Sequence, residues 1–458
     1  MAQKPGIPKG TRDFSPGEIA RRNYILAAIK DQFESFGFQP IETPSFENLN
    51  TLLGKYGDEG DRLIFKILNS GDFMRKVPSQ KLKELDSAAL LPKITEKALR
   101  YDLTVPFARY VVMHRNELQF PFKRYQIQPV WRADKPQKGR FREFYQCDAD
   151  VVGATSLLQE VEFIQLYDAV FKKLGLPGVV LKINHRKILS GIAQTIGAED
   201  HLIDFTVALD KLDKIGEEGV LRELREKGIP KPAIEKARPL FSVSGDNSKQ
   251  ISDLRAWLKD SRAGLQGLDE LSRILELTDA LGLSAIQVSL DITLARGLNY
   301  YTGAIFEVAA PAGVDMGSIG GGGRYDDLTG IFGMPDLSGV GISFGLDRIY
   351  LVMEELGLFP NAVDRSLEIL CVNFGEKEAI AAMKLVKLFR GKGVSADLYP
   401  SAAKLQKQFK YADSRNVPFV VLIGEEELST GQFVVKDMAS GKQQTYPLDA
   451  PDEFLKSL

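Results

Sequence analysis

The chain reads as an α/β protein of more than one unit: an antiparallel sheet flanked by helices, a mainly helical insertion, and a small C-terminal α/β domain. Three observations predict this. Residues 124–151, RYQIQPVWRADKPQKGRFREFYQCDADV, are two alternating segments around a polar, basic loop, the pattern of strand, loop and returning strand. Strand-like runs at 179–183 and 286–290 bracket a charged stretch of helical patterning, which looks inserted between two pieces of one sheet. Beyond residue 366, strand-like and helical segments alternate, predicting a largely parallel sheet. At 458 residues and about 150 per domain, three units are expected. Their limits are read as 1–186 with 285–363, then 187–284, then 366–458.

From the N-terminus, apolar Leu26, Ile29, Phe33 and Phe36 recur at three- and four-residue intervals, predicting a long helix over 18–36 that Gly37 stops. An extended PIETPSFE segment follows from Pro40. Further on, Gly320–Gly323 carry no side chains, so backbone there can approach a ligand, turn with positive φ, or form a flexible surface loop. After Gly345 the apolar set Leu346, Ile349, Tyr350 and Met353 predicts an amphipathic helix, with Arg348 off that face. The C-terminal domain holds twelve Lys plus Arg against twelve Asp plus Glu, so it has no net attraction for RNA. Lys404, Lys407 and Lys410 nevertheless share a helix face.

Composition narrows the function. The 59 basic and 61 acidic residues nearly cancel, disfavouring a charge-driven nucleic-acid binder. Two cysteines, Cys147 and Cys371, and three histidines at no metal-ligand spacing predict neither disulfide framework nor structural zinc, and no metal ligand is assigned. The N-terminus lacks an apolar core and no run of about 18 apolar residues occurs, so a soluble cytoplasmic protein without a membrane partner is expected.

On the returning strand of the hairpin, the two-residue repeat puts Phe144, Gln146, Asp148 and Asp150 on one face. Beside it the loop carries Arg132, Lys135, Lys138 and Arg140. A nucleotide ring could stack on the aromatic plate, its phosphates could meet the arginines, and a small cationic or amino-bearing ligand could meet the acids. An exposed hairpin with solvated charges has the same pattern. No GxxxxGK[ST] loop, GxGxxG opening a helix, or His-Ile-Gly-His signature occurs, so arginines and metal would have to hold a triphosphate.

Further blocks extend the pattern: GTRDF from Gly10, KALRYDLTVPFARY from Lys97, LARGLNYYTGAIFE from Leu294, GSIGGGGRYD from Gly317 and GVGISFGLDRIYLVMEE from Gly339. In this order they resemble the motifs of the histidyl-tRNA synthetases, a class II aminoacyl-tRNA synthetase family, over essentially the whole chain. The resemblance implies a class II catalytic domain, an insertion approaching the tRNA acceptor arm, an anticodon-binding domain and a homodimer. Its implied reaction joins L-histidine and ATP, with Mg2+, to histidyl-adenylate and passes the histidyl group to tRNA(His).

Residue by residue it implies Arg132, Arg296 and Arg348 as catalytic. Arg132 would meet the α-phosphate, Arg296 the reacting carboxylate and α-phosphate, and Arg348 the triphosphate tail. Asp102, Thr104 and Gln146 would contact the α-amino and carboxylate groups, Asp150 with Tyr300 and Tyr301 would face the imidazole, and Leu103 and Arg296 are implied as histidine-binding too. Asp134 and Phe144 would hold the adenine. A carboxylate and phenols suit an imidazole, whose ring nitrogens need an acceptor and a further polar partner. Asn299 departs from the aspartate common in RGLDYY, and Asp102 and Asp150 are shorter than the glutamates many members use; the aspartate forms, with the DLTVPFARY wording, resemble the branch shared with archaeal and eukaryotic members. Two rivals are a non-catalytic histidine-sensing paralogue that partners an ATP phosphoribosyltransferase, and an RNA-binding protein with a relic catalytic fold.

Overall fold

The computed structural model describes residues 4–75, 77–78, 86–295, 301–364 and 367–456. The chain divides into two compact units, the first made of 1–13 and 25–358, the second of 14–24 and 359–458.

In the first unit the second half of helix α1 (Pro16–Ser35) buries Ile25, Ala28, Ile29 and Phe33. Phe33 packs on Tyr125 and Phe344 at ring distances of 5.4 and 5.8 Å, laying the helix against the sheet. Gly37, at φ +79°, ends it: its N–H bonds Glu34 O, and that of Phe38 bonds Phe33 O. The expected extended segment is two short strands in different sheets, β1 (Gln39–Pro40) and β2 (Phe46–Asn48). Strands β3 (Lys66–Ile67) and β4 (Lys97–Leu99) complete a three-stranded sheet with β2. Helix α2 (Thr104–Met113) follows directly.

The main sheet has eight described strands. After β1 come β5 (Phe122–Trp131), β6 (Glu143–Val152), β7 (Val179–His185), β8 (Ile286–Leu290), β9 (Ala304–Ala309), β10 (Gly320–Asp326) and β11 (Ser338–Phe344). Their order is β1-β5-β6-β11-β10-β9-β7-β8, antiparallel except where β1 joins β5 and β7 joins β8. The predicted hairpin is β5–β6, with Trp131 opposite Glu143 and Phe122 opposite Val152. The glycine tract is strand β10 rather than a loop, and none of Gly320–Gly323 has positive φ. Helix α3 (Leu158–Leu174) covers the sheet, and its buried Glu160 takes both ends of the Arg324 guanidinium, 2.7 Å from Nη2.

Between β7 and β8, neighbours in the sheet as the bracketing runs predicted, the chain forms helices. They are α4 (Arg186–Ile196), α5 (Leu202–Leu209), α6 (Leu212–Glu226), α7 (Lys231–Ala237), α8 (Asn247–Trp257) and α9 (Arg262–Leu281). Gly191 and Gly264 let α4 and α9 touch: a Cβ on Gly191 would lie 2.5 Å from Gly264 Cα. At the base, the Nε2 of buried His185 lies 2.9 Å from Glu270, which also bonds Lys187. Burial pushes the Glu270 carboxyl up, but these partners pull it down to about 2. Asp168 accepts N–H bonds from Ser284, Ala285 and Ile286, fixing the return into β8. Helix α10 (Leu346–Glu355) follows β11 and buries Leu346, Ile349, Tyr350 and Met353, the predicted face.

In the second unit five strands, β12 (Ile369–Cys371), β13 (Ala396–Leu398), β14 (Phe419–Leu422), β15 (Gln432–Asp437) and β16 (Gln443–Pro447), are ordered β13-β12-β14-β15-β16. The first three are parallel, but β15 and β16 run antiparallel, so the expected largely parallel sheet is mixed. The short turn at 438–442 can only join β15 and β16 as antiparallel neighbours, and the segment 423–431 with its short helix Glu425–Thr430 returns the chain antiparallel from β14 to β15. Helices α11 (Glu376–Gly391) and α12 (Leu405–Ser414) fill the crossovers.

Candidate active site

Two cavities share a wall in the first unit, a narrow one of about 130 Å3 and a wide one of about 770 Å3. Residues Arg132, Gln146, Tyr301, Gly321, Gly322 and Ser343 line both.

The narrow cavity is built on strand register. Pairing of β5 with β6 sets Arg124 opposite Asp150, Gln126 opposite Asp148 and Gln128 opposite Gln146. On the other side β11 sets Gly341 against Asp150 and Ser343 against Asp148. Glycines make room: a Cβ on Gly341 would fall 2.0 Å from Asp150 Oδ1, and one on Gly322 would fall 2.2 Å from Gly341 O. Close backbone approach, not a left-handed turn, is therefore what the glycine tract supplies.

Asp150 is 3 % exposed, accepts the Tyr325 hydroxyl at 2.7 Å, and has Oδ2 2.8 Å from Arg124 Nη2. The Arg124 guanidinium is fully buried, 4.2 Å above the Phe107 ring. Asp102, in the turn before α2, accepts the Tyr56 hydroxyl at 2.8 Å and the Val105 N–H, while its buried Oδ2 has no hydrogen-bond partner among the described residues. Buried Gln146 Oε1 is likewise unpaired. Both atoms belong to residues lining the narrow cavity, where burial without a partner is costly until a ligand donates. Burial raises the carboxyls of Asp102, Asp148 and Asp150, that of Asp148 to about 7, against the pull of the nearby arginines.

Arg132 stands where β5 ends. Its Nε donates to Tyr101 O at 2.9 Å, and its guanidinium lies 4.3 Å from the Tyr101 ring centre and 5.2 Å from that of Phe144. In the wide cavity, Arg348 donates from Nε to Gly139 O at 2.9 Å and from Nη1 to Ser318 O at 2.6 Å, tying α10 to the hairpin loop. Asp134 and Phe144 line the same space, as do Glu307 and the partly exposed Arg140. Arg12 pairs with Asp347 and stacks on Phe141, both lining residues. Ile203 and Val207 of the inserted helix α5 complete the rim.

Of the expected residues, Asp102, Thr104, Arg132, Gln146, Asp150 and Tyr301 meet at the narrow cavity, and Arg132, Asp134, Phe144, Gln146, Tyr301 and Arg348 at the wide one. Leu103 lines neither; it is fully buried just before α2 and serves the core. Arg296 and Tyr300, with Asn299, lie outside the described residues. Sequence reasoning gave no role to Arg124, Tyr56, Tyr325 or the Gly341 contact. For Arg124 a signal existed, since pairing the hairpin sets that cation against Asp150; Tyr56 and Tyr325 are brought in by tertiary packing alone.

A family profile described as Histidyl-tRNA synthetase matches residues 93–349, and one described as Anticodon binding domain matches 368–458. The histidine--tRNA ligase of Christiangramia forsetii is 65% identical over 456 residues, covering 100% of both chains. That of Flavobacterium johnsoniae is 60% identical, covering 97% of each. The crystal structure of histidyl-tRNA synthetase from Nostoc sp. PCC 7120 superposes with a TM-score of 0.83 at 30% identity, with full coverage of both. A Bacillus halodurans structure titled ATP phosphoribosyltransferase regulatory subunit/histidyl-tRNA synthetase, 23% identical with a TM-score of 0.72, shares the fold. With a catalytic profile over more than half its length and near-full-length relatives at these identities, the chain belongs to the histidyl-tRNA synthetase family.

Proposed function

We propose that the narrow cavity binds L-histidine and the wide cavity ATP, with Arg132 at the shared wall where the two react. As a member of its family the chain is an ATP-dependent histidine--tRNA ligase, forming histidyl-adenylate and transferring the histidyl group to tRNA(His) with release of AMP and diphosphate. The single observation carrying the site assignment is that one guanidinium lines both an acid-lined narrow cavity and a wide cavity edged by Arg348 and Phe144.

The histidine carboxylate is already a nucleophile, so positioning and charge neutralisation suffice for its attack on the α-phosphate. Arg132 neutralises the growing charge there, and Arg348 holds the triphosphate tail. Phe144 stacks on the adenine beside Asp134. Asp102, Thr104 and Gln146 hold the amino and carboxylate groups; the unpaired Asp102 Oδ2 and Gln146 Oε1 await an ammonium. Asp150 with Tyr301 bounds the imidazole end, with Tyr300 and Arg296 assigned by resemblance. Polar atoms left unpaired by an apolar side chain give the pocket its discrimination.

No three of the described acidic, histidine or cysteine residues cluster as a metal site. Mg2+, when bound, would be held chiefly by the substrate's phosphates and would neutralise their charge. We infer a homodimer in the cytoplasm, an insertion spanning 187–284 that meets the acceptor arm, and an anticodon-binding domain whose exposed Lys404, Lys407 and Lys410 meet RNA. The sensor alternative is not favoured, because the ligase relatives match over the full length and the anticodon-binding profile is present.

Histidine-dependent ATP–pyrophosphate exchange tests the reading. We expect exchange with histidine and none with other amino acids; its absence from folded, magnesium-supplied protein would overturn the assignment.

A further inference from the structure

We infer that Tyr56 is a positioning residue for histidine binding: its hydroxyl pins one oxygen of Asp102 and so keeps the other, Oδ2, turned toward the ammonium of the amino acid. This deepens the proposed reading and rests on it.

Tyr56 stands 46 residues before Asp102, between the motif blocks, where it caps the short helix Gly57–Leu63. A Cβ on Gly60 would fall 2.4 Å from Tyr56 Cβ, so glycine one turn along leaves the phenol its place. The residue is 5 % exposed, packs in one core with Leu49, Leu52, Ile64 and Val105, and has its ring centre 4.5 Å from that of Tyr101.

Both bonds that hold the Asp102 carboxylate end on the same atom. Its Oδ1 takes the Tyr56 hydroxyl at 2.8 Å and the Val105 N–H at 3.2 Å, while Oδ2 is buried without a hydrogen-bond partner among the described residues. Two donors converging on one oxygen oppose rotation about Cβ–Cγ, a soft torsion that would otherwise exchange the two oxygens. The hydroxyl makes the shorter bond and is the firmer anchor. Burial and the facing carboxylate push the Tyr56 phenol well above its usual range, so it keeps its proton and donates.

The segment carrying this tyrosine is fastened to the hairpin at two points. Arg132 donates to Tyr101 O beneath the Tyr56 ring, and Leu63 O at the far end of the short helix accepts the Ala133 N–H at 2.8 Å. Gly57, Gly60 and Leu63 line the wide cavity, whereas Asp102 lines the narrow one. One stretch of chain therefore walls the nucleotide space and aims the acceptor for the amino acid.

The groups facing Asp102 are Tyr56 on this segment, Arg124 on β5, Arg132 after it, Asp148 and Asp150 on β6, Tyr301, and Tyr325 on β10. Burial raises the Asp102 carboxyl, and the Tyr56 hydroxyl leads the groups that pull it back, ahead of Arg132. An ammonium needs the anion. Without the hydroxyl the carboxyl rises further, so histidine binding must begin to fail at a higher pH.

The test is calorimetric titration of L-histidine into the full chain and into Tyr56→Phe between about pH 5 and 8, with ATP KM measured alongside. Phenylalanine keeps the ring against Tyr101 and removes one oxygen. We expect histidine affinity at about pH 8 to fall about 10-fold and ATP KM to stay within about two-fold. The acid-side loss of affinity should also start at higher pH than in the wild-type chain. The ligand's imidazole, near pH 6.5, titrates in both and drops out of the comparison. A merely structural role would lower affinity by one factor at every pH, so parallel profiles or equal affinity overturn the assignment and leave the ligase reading intact. A double-mutant cycle gives a second readout: added to Asp102→Asn, Tyr56→Phe should cost less than about two-fold more, and a further loss of about 10-fold would overturn action through Asp102. Absence of histidine binding by the wild-type chain overturns this assignment and that of the narrow cavity together.

Discussion

The narrow and wide cavities share six residues yet are built in opposite ways. The narrow one holds buried acids with oxygens that have no hydrogen-bond partner among the described residues, inside walls flattened by glycine. The wide one carries cations already satisfied by backbone carbonyls, as Arg348 is by Gly139 and Ser318. Unpaired polar atoms in a dry site make a wrong ligand expensive, which is selectivity. Pre-satisfied guanidiniums stay fixed while charge moves, which is electrostatic preorganisation. The contrast assigns choice of amino acid to one cavity and stabilisation of the reacting phosphate to the other, with Arg132 in both.

That contrast can be broken in order of effect. Arg132→Ala should lower pyrophosphate exchange by about 10²- to 10³-fold while circular dichroism stays unchanged, since it removes the cation at the shared wall; an unchanged rate would discredit its role. Arg348→Ala should raise ATP KM by about 10- to 100-fold and leave histidine KM alone. Equal shifts in both KM values would mean the cavities are not separable. Gly322→Ala must push the Gly341 carbonyl aside, so about 1–3 kcal/mol of stability and most histidine binding should be lost, read by urea denaturation and calorimetry. Phe144→Leu should weaken ATP by about 1 kcal/mol through lost stacking, with histidine binding unaffected.

The smallest effect lies outside both cavities. Glu270 is held near 2 when folded against about 4.3 for a free glutamate, so its contribution is present above the unfolded value and lost as pH falls through 4 toward 2. Glu270→Gln should cost about 1 kcal/mol in urea melts at pH 7, with a smaller loss at pH 3 and unchanged exchange. A large activity loss there would show that the inserted helices couple to the site through the His185–Glu270–Lys187 cluster.

Much of the site was legible from sequence because a strand reports its own faces. Period two alone placed Phe144, Gln146, Asp148 and Asp150 together, and three of the four line the narrow cavity. Period 3.6 likewise gave α1 and α10, and Gly37 marked a true left-handed stop. Less legible were the glycines, because a bare tract is compatible with loop, turn or strand until the neighbouring strands are known. Leu103 entered by its motif position, and only burial shows that its side chain serves the core. The mixed C-terminal sheet was missed because strand and helix still alternate through the short helix Glu425–Thr430, yet β15 returns antiparallel to β14 and a short turn then adds β16.

The sequence by itself determined the family, the hairpin with its reading face, and the presence of acids and arginines suited to an amino acid and a triphosphate. Those follow from local periodicity and motif order, which need no partner strand. Tertiary structure alone decided which groups surround each acid. Arg124, Tyr325 and Gly341 reach Asp150 from three different strands, and register between segments nearly two hundred residues apart is a property of packing, not of any local stretch of chain.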